Sequence, residues 1–337
     1  MQIVVLDDIG IGEHDLRRLE QKGEVRLFSG SPRGLDAIVE RARGAEVVIS
    51  GWTRIDREVL AALPGLRLVS LWATGLDNVD LAAAREHHVV VSHVPTYATN
   101  AVAELALGLM LAVLRKIPAA DQHLRRTGHA EWQPFQGGEL HGKRLGVVGT
   151  GVIGRRVARV GSCLGMSLLG YDVQPSPAMI DELGMHYVPL AELFAESDVV
   201  TLHAPLTADT EDLVDGALLR RLPETAIVVN TARAGLIRQD DLLEVLSEKS
   251  IAGAGLDVID LSLESGAKLL ALDNVVATPH IGFYTREALA KLTEVCVDNV
   301  VSFLDGAPTN VAAPPPAPAE PRSGGTGALK EEENSGI

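Results

Sequence analysis

Three polar residues in the second half of this 337-residue chain each follow an apolar run: Arg233 in VVNTARAG, Asp257 in AGLDV and His280 in ATPHIG. A guanidinium on a strand-end loop can clamp a carboxylate and the carbonyl beside it through a fixed pair of N–H donors. An imidazole is the side chain able to give and take a proton near neutral pH. Asp257, at a third strand end, would face the same crevice. Taken singly, an arginine in a loop is most often a surface charge and a histidine a satisfied structural group. Their common placement past the carboxyl ends of successive strands, where open α/β sheets hold ligands, makes Arg233 and His280 candidate catalytic residues.

A sheet that positions them is announced by residues 144–172, RLGVVGTGVIGRRVARVGSCLGMSLLGYD. An apolar run breaks on glycines, passes into a helix-period segment and ends in a second apolar run capped by an acid. Gly149 permits the tight turn, Gly151 lets backbone approach a pyrophosphate, and Gly154 lets the helix pack close to its strand. The helix start at Val152 and Ile153 offers unpaired N–H groups to the phosphates. Asp172, at the tip of the second strand, can accept both ribose hydroxyls of an adenosine and would repel a 2′-phosphate. NAD is therefore predicted over NADP. His203, in VTLHAPLT, also ends a strand and lines the same cleft.

The rest of the chain supplies the frame. Residues 2–91 alternate strand-like runs (3–6, 25–28, 47–50, 66–71, 89–91) with amphipathic helical patterns, which builds a parallel, doubly wound sheet. Gly51, Trp52 and Thr53, and the run 73–78 with Thr74, Gly75 and Leu76, lie at its strand ends. A long helix over 100–115 is apolar almost all round, so it is buried between layers or in a subunit interface. A polar stretch holding Trp132 and Pro134 leads to the glycine turn. Further strands fit at 199–202, 227–230, 252–256 and 275–277, with a short one near Tyr187, giving six or seven strands. A helix over 286–304 comes too late to extend this sheet and is expected to pack on the first domain. From Pro314 the chain is rich in proline, glycine and charge and reads as a disordered tail.

Composition sets outer bounds. Hydrophobic residues make up 46% and the net charge is −15, which leaves nucleic acid or an anionic membrane an unlikely partner class. The two cysteines, Cys163 and Cys296, show no CxxC spacing, so neither a disulfide framework nor a metal site is expected. No signal-peptide pattern opens the sequence and no apolar run suits a bilayer span, so the expected location is the cytoplasm.

The motifs TGLDNVDL, NAVAELALGLML, the glycine turn with Asp172, LHAPLTADT, VVNTARAG, AGLDV and TPHIG occur in one order across residues 1–313. In that order and spacing the chain resembles the D-isomer-specific 2-hydroxyacid dehydrogenases, which include D-3-phosphoglycerate, D-lactate, formate and phosphite dehydrogenases. The resemblance implies a Rossmann NAD-binding domain (99–284) inserted in a flavodoxin-like substrate-binding domain (1–98 and 285–313), an active site in the cleft, and a homodimer formed around the long helix. It implies Arg233 as the substrate-orienting arginine and His280 as the proton donor or acceptor. Backbone of Thr74, Gly75 and Leu76 would hold the substrate's anionic group, with Trp52 near it. Ala204, Pro205 and Thr210 would join His203 at the cofactor, as would Thr231, Ala232, Asp257 and Gly282.

One position departs from the pattern. Family members usually carry, in the loop after the acid matched by Asp257, a glutamate that hydrogen-bonds the histidine, where this chain has Ser262. Asp260 or Glu264 would substitute if the loop is shifted. The expected activity is hydride transfer between NAD and a small anionic 2-hydroxy acid. Two alternatives stand beside it: oxidation of a phosphorus oxyanion or phosphonate, suggested by the run Glu131-Trp132-Gln133-Pro134, and an NAD-sensing, corepressor-like binding module. Arg54 alone does not make an arginine cluster for a distant phosphate, so phosphoglycerate is not favoured.

Overall fold

Short runs of valine, isoleucine and leucine, each followed by a segment of helical period, fold as strand and covering helix in turn. The structure is a computed structural model that describes residues 1–313; the stretch 314–337, expected as a disordered tail, lies outside the described residues. The chain divides into two compact units, one made of Met1–Val94 with the residues from Cys296 onward, the other of Pro95–Val295.

The first unit runs β1 (Gln2–Val5), α1 (Glu13–Glu20), β2 (Glu24–Leu27), α2 (Leu35–Ala42), β3 (Val47–Ser50), α3 (Arg57–Ala62), β4 (Leu68–Leu71), α4 (Leu81–Glu86) and β5 (Val90–Ser92). These strands are ordered β5-β4-β3-β1-β2 and all parallel, the flavodoxin-like winding. Every residue of β3, β4 and β5 is buried, because helices cover both faces of a parallel sheet and leave no position for a polar-out alternation. The edge strand β2, EVRL, has no fully buried residue.

The second unit begins with α5 (Thr99–Leu114) and α6 (Ile117–Thr127). It continues through β6 (Arg144–Val148), α7 (Val152–Cys163), β7 (Ser167–Tyr171), α8 (Pro177–Leu183), β8 (His186–Tyr187), α9 (Leu190–Glu196), β9 (Val199–Leu202), α10 (Gly216–Leu219), β10 (Ile227–Asn230), α11 (Gln239–Ser247), β11 (Gly253–Leu256), α12 (Glu264–Leu270) and β12 (Val275–Ala277). Its seven strands are ordered β12-β11-β10-β9-β6-β7-β8. The chain winds outward in both directions from β6, so the switch point that opens a crevice lies at the carboxyl ends of β6 and β9. Helix α5 lays Ala103, Ala106, Leu109 and Met110 into the core formed with Leu145, Val147, Val157 and Val229. Helix α6 stands where the sequence suggested only a polar stretch. None of its residues is buried.

Helix α13 (Arg286–Leu304) belongs to both units. Near its start Ala288 packs with Ala98 and Val102 in the second. Further along, Ser70 Oγ in the first donates to the Cys296 carbonyl at 3.0 Å, and Asn299 Nδ2 donates to the His93 carbonyl at 2.8 Å. After it, β13 (Val311–Ala313) pairs antiparallel with β5, a departure from the all-parallel sheet expected; antiparallel edge strands on parallel sheets are common. Among the described residues no helix is long and apolar enough to cross a membrane.

Candidate active site

The crevice of the second unit starts at the turn after β6. Gly149 has φ +87, and a Cβ there would lie 2.6 Å from the Ala204 nitrogen, so two strand-end loops close on each other only because this residue is glycine. A Cβ on Gly154 would stand 2.0 Å from the Gly149 carbonyl oxygen, which fixes how closely α7 approaches the turn. The first N–H groups of α7, those of Val152 and Ile153 among them, have no partner within the helix. At the tip of β7, Asp172 Oδ2 accepts from the Thr150 N–H at 2.6 Å and the Thr150 hydroxyl at 3.0 Å, and Oδ1 accepts from the Gln174 N–H at 2.9 Å. Three chain donors therefore already face this carboxylate. Two of them sit on Oδ2 and one on Oδ1, so Oδ1 is the less occupied acceptor. Burial works against its ionisation, but the N–H groups of Gln174 and Thr150, the Thr150 hydroxyl and the nearby Arg155 together hold it below the usual aspartate range.

Across the switch point, His203 ends β9 with Nε2 at 2.9 Å from Thr201 Oγ1, and burial pushes its imidazole down to about 4, so it is neutral. In the loop beyond Ala204, the Thr210 hydroxyl donates to the Pro205 carbonyl at 2.6 Å and closes the turn. The loop after β10 is organised by Asn230, a residue the sequence reading passed over. Its buried amide accepts from the Ala232 N–H at 3.0 Å and donates to the Arg233 carbonyl at 2.8 Å, which sets the backbone that carries the Arg233 guanidinium. Thr231 is 7% exposed, and its hydroxyl oxygen is buried with no hydrogen-bond partner among the described residues. Burial pushes the Tyr97 phenol up to about 12, with Arg233 pulling the other way, so a protonated hydroxyl stands close to that arginine.

Asp257, expected to face the crevice, is closely engaged within the chain. It is 1% exposed, and its carboxylate is turned into the loop after β12. Oδ1 accepts from the Thr278 hydroxyl at 2.6 Å and the Ile281 N–H at 2.9 Å, and Oδ2 from the Gly282 N–H at 2.8 Å. These bonds bracket His280, whose backbone is held at φ +56 and whose ring lies edge-on to Phe283 at 5.9 Å. The proposed stand-ins for the family's glutamate are engaged elsewhere. Asp260 Oδ1 accepts from the Ser262 N–H and hydroxyl at 2.9 and 2.6 Å, while Glu264, opening α12, pairs with Lys268 at 2.7 Å. Gln239 holds the Asp260 backbone in place through bonds of 3.0 and 2.9 Å. Among the described residues no side chain hydrogen-bonds the His280 ring.

In the first unit the strand-end loops converge on a residue that sequence reading missed. Asp7, 1% exposed after β1, accepts at Oδ2 from the N–H groups of Gly51, Trp52 and Thr53 at 2.8, 3.2 and 3.1 Å, and at Oδ1 from the Thr53 hydroxyl at 2.6 Å. Its only sequence signal is an acid closing an apolar run. Trp52, held by this nest, is half exposed, stands edge-to-face on Trp72 at 5.8 Å, and donates from Nε1 to Ser31. The Thr74 hydroxyl turns back to the Val94 carbonyl at 2.6 Å, and His93 Nδ1 donates to the Thr74 carbonyl at 2.9 Å. The N–H groups of Gly75 and Leu76 donate to no acceptor among the described residues.

A doubly wound sheet with this glycine turn and an acid at the next strand tip defines a dinucleotide-binding protein. The sequence profile of the D-isomer specific 2-hydroxyacid dehydrogenase NAD binding domain matches residues 107–282. A glyoxylate reductase of Korarchaeum cryptofilum is 36% identical over 302 residues, 88% of this chain and 91% of that protein. A hydroxypyruvate reductase of Blautia hydrogenotrophica is 33% identical over 323 residues, 92% of this chain and 99% of that one. The solved D-lactate dehydrogenase from Aquifex aeolicus, complexed with NAD and lactic acid, superposes with a TM-score of 0.81 at 26% identity, covering 91% of this chain and 96% of that structure. The chain belongs to the D-isomer specific 2-hydroxyacid dehydrogenase family and is an NAD-dependent oxidoreductase acting on CH–OH donors. Its own atoms fit the cofactor: the Thr231 hydroxyl, without a partner among the described residues, is buried at a strand end of the crevice, and a Cβ on Gly151 would meet nothing within 4 Å.

Proposed function

We propose that the protein interconverts a small 2-oxo acid and its D-2-hydroxy acid, with glyoxylate and hydroxypyruvate as the substrates to try first. The observation that carries this reading is the pair of preset loops in the second unit. Asn230 fixes the backbone bearing Arg233, and Asp257 fixes the loop bearing His280. The names of the two similar reductases support the choice of substrates. Bound NAD supplies or accepts the hydride at its nicotinamide ring. Arg233 orients the substrate through its carboxylate, which a planar two-donor fork holds in one plane. A ring nitrogen of His280 gives a proton to the substrate oxygen in reduction and takes it back in oxidation. Asp172 and the first turn of α7 bind the cofactor's adenosine and pyrophosphate. In the first unit, the N–H groups of Gly75 and Leu76, which meet no acceptor among the described residues, support an anion-holding role for that loop.

Two further parts of the reading concern assembly and compartment. Ile117 and Leu124 on α6 are 53% and 52% exposed and Trp132 is 77% exposed, which supports a homodimer that covers them. Cys163 and Cys296 are both free thiols, in keeping with a reducing cytoplasm. The test of the activity is nicotinamide absorbance during turnover of glyoxylate, hydroxypyruvate, pyruvate and phosphite. Turnover of a 2-oxo acid is the expected result; turnover of phosphite alone, or NADH binding without turnover, would overturn it.

A further inference from the structure

Four residues spread over the turn after β6, the loop after β7 and strand β8 form one hydrogen-bond chain that ends on Asp172. The Ser176 N–H donates to the Tyr187 hydroxyl at 3.1 Å, the Tyr187 hydroxyl donates to Thr150 Oγ1 at 2.9 Å, and the Thr150 hydroxyl donates to Asp172 Oδ2 at 3.0 Å. Its direction is forced at both ends. A backbone N–H can only donate and a carboxylate can only accept, so each hydroxyl between them has one orientation. The strands supply the geometry: Tyr187 in β8 is in register with Gly170 of β7, and a Cβ on Gly170 would lie 3.0 Å from Tyr187 Cε1, so glycine there lets the ring lie close over the sheet. Thr150 is 2% exposed, and the Arg155 Nε donates to its carbonyl at 2.9 Å.

We infer that Tyr187, acting through Thr150, is a positioning residue for cofactor choice: it locks the Asp172 carboxylate in the rotamer that admits a ribose 2′-hydroxyl and excludes a 2′-phosphate. The inference rests on the reading that Asp172 receives the adenosine ribose. With Oδ2 held by Thr150, Oδ1 is presented at a fixed angle beside the Val173–Ser176 loop, which the same chain ties down at Ser176. Without the Tyr187 hydroxyl the Thr150 hydroxyl is free to turn away, Oδ2 keeps one donor in place of two, and the carboxylate gains room to swing aside from an incoming phosphate. Cooperative chains of this kind polarise their members, so removing one link weakens the terminal bond as well.

The test is direct binding, read by fluorescence titration of NADH and NADPH against the full chain. Tyr187→Phe is expected to weaken NADH binding by roughly three- to tenfold while leaving NADPH binding unchanged or tighter, the scale of one hydrogen bond between neutral groups. Thr150→Val, which removes the last link, is expected to narrow the NADH preference further, and Thr150→Ser, which keeps the hydroxyl, to restore most of it. Equal weakening of both cofactors in Tyr187→Phe would show a merely structural residue and overturn the inference, as would an unchanged ratio. Asp172→Ala separates the two layers: if it leaves the NADH-to-NADPH ratio as it was, the ribose reading itself fails and the relay falls with it.

Discussion

His280 is held in left-handed backbone at φ +56, a conformation that costs a non-glycine residue roughly 1 kcal/mol or more. The three hydrogen bonds to the buried Asp257 maintain it. If the imidazole transfers the proton, His280→Ala should lower kcat by roughly 10²- to 10⁴-fold while NADH affinity, measured by direct titration, stays as it was. An unchanged kcat would remove His280 from the reaction. Arg233→Lys keeps the charge but loses the planar fork, so both KM for the oxo acid and kcat should suffer; a rise in KM alone would mean that the arginine binds without orienting. At this scale the sequence was informative about residues whose type announces chemistry. It said little about Asn230 or Asp257 as loop anchors, because an anchor is defined by the N–H groups that reach it, and those lie in another loop for Asp257. The same limit applies to Asp260 and Glu264. Their nearest partners in the chain, Ser262 and Lys268, took them, and sequence spacing alone could not decide between those and the histidine.

Elements were legible where a period was strong and one-sided. The β6 to β7 unit, α5 and α13 were visible as runs, whereas α6 has no buried residue and β13 is three residues long. The nest at Asp7 shows what an element-scale reading misses. Just past strand β1 stands an acid whose backbone N–H donors lie more than forty positions away, beyond β3. Burial works against its ionisation, but the hydroxyls of Thr53 and Ser31 and the N–H groups of Thr53 and Gly51 outweigh it and hold the carboxyl below its usual range. A depressed folded pKa adds stability that is fully present above the unfolded value, about 3.9, and is lost as pH falls through the folded one. Wild-type protein should therefore lose stability below about pH 4 more steeply than Asp7→Asn, which has no such charge to lose. At neutral pH Asp7→Ala, which leaves several buried N–H groups without an acceptor, should cost about 2 kcal/mol or more in denaturant unfolding. Parallel acid profiles for wild type and Asp7→Asn would mean that the nest is not what titrates.

At the scale of the molecule, the two units have separate hydrophobic cores. One is built around Val4, Val48, Val69 and Leu71, the other in two layers around Val200, Val228 and Phe194 and around Leu145, Val147 and Val229. Both doubly wound sheets could be read from the alternation of strand and helix runs because each sheet is nearly all parallel, and parallel winding leaves few topologies open. Separate cores make a single all-or-none transition an unsafe assumption for this chain. The proposed cofactor residues Gly149, Asp172, His203 and Thr231 all belong to the second unit. A ligand that binds only the folded form stabilises it by RT ln(1 + [L]/Kd), about 2.7 kcal/mol at a hundredfold excess over Kd. In scanning calorimetry, NADH at that excess should therefore raise the transition of the second unit and move that of the first less. NADPH at the same concentration should raise it little, because its 2′-phosphate meets Asp172. Tyr187→Phe should bring the two cofactor shifts closer together without lowering the transition of the unliganded protein by a comparable amount. If NADH moved every transition equally in wild type, the units would melt as one, and the stabilisation would have to be attributed to the whole chain rather than to its central sheet.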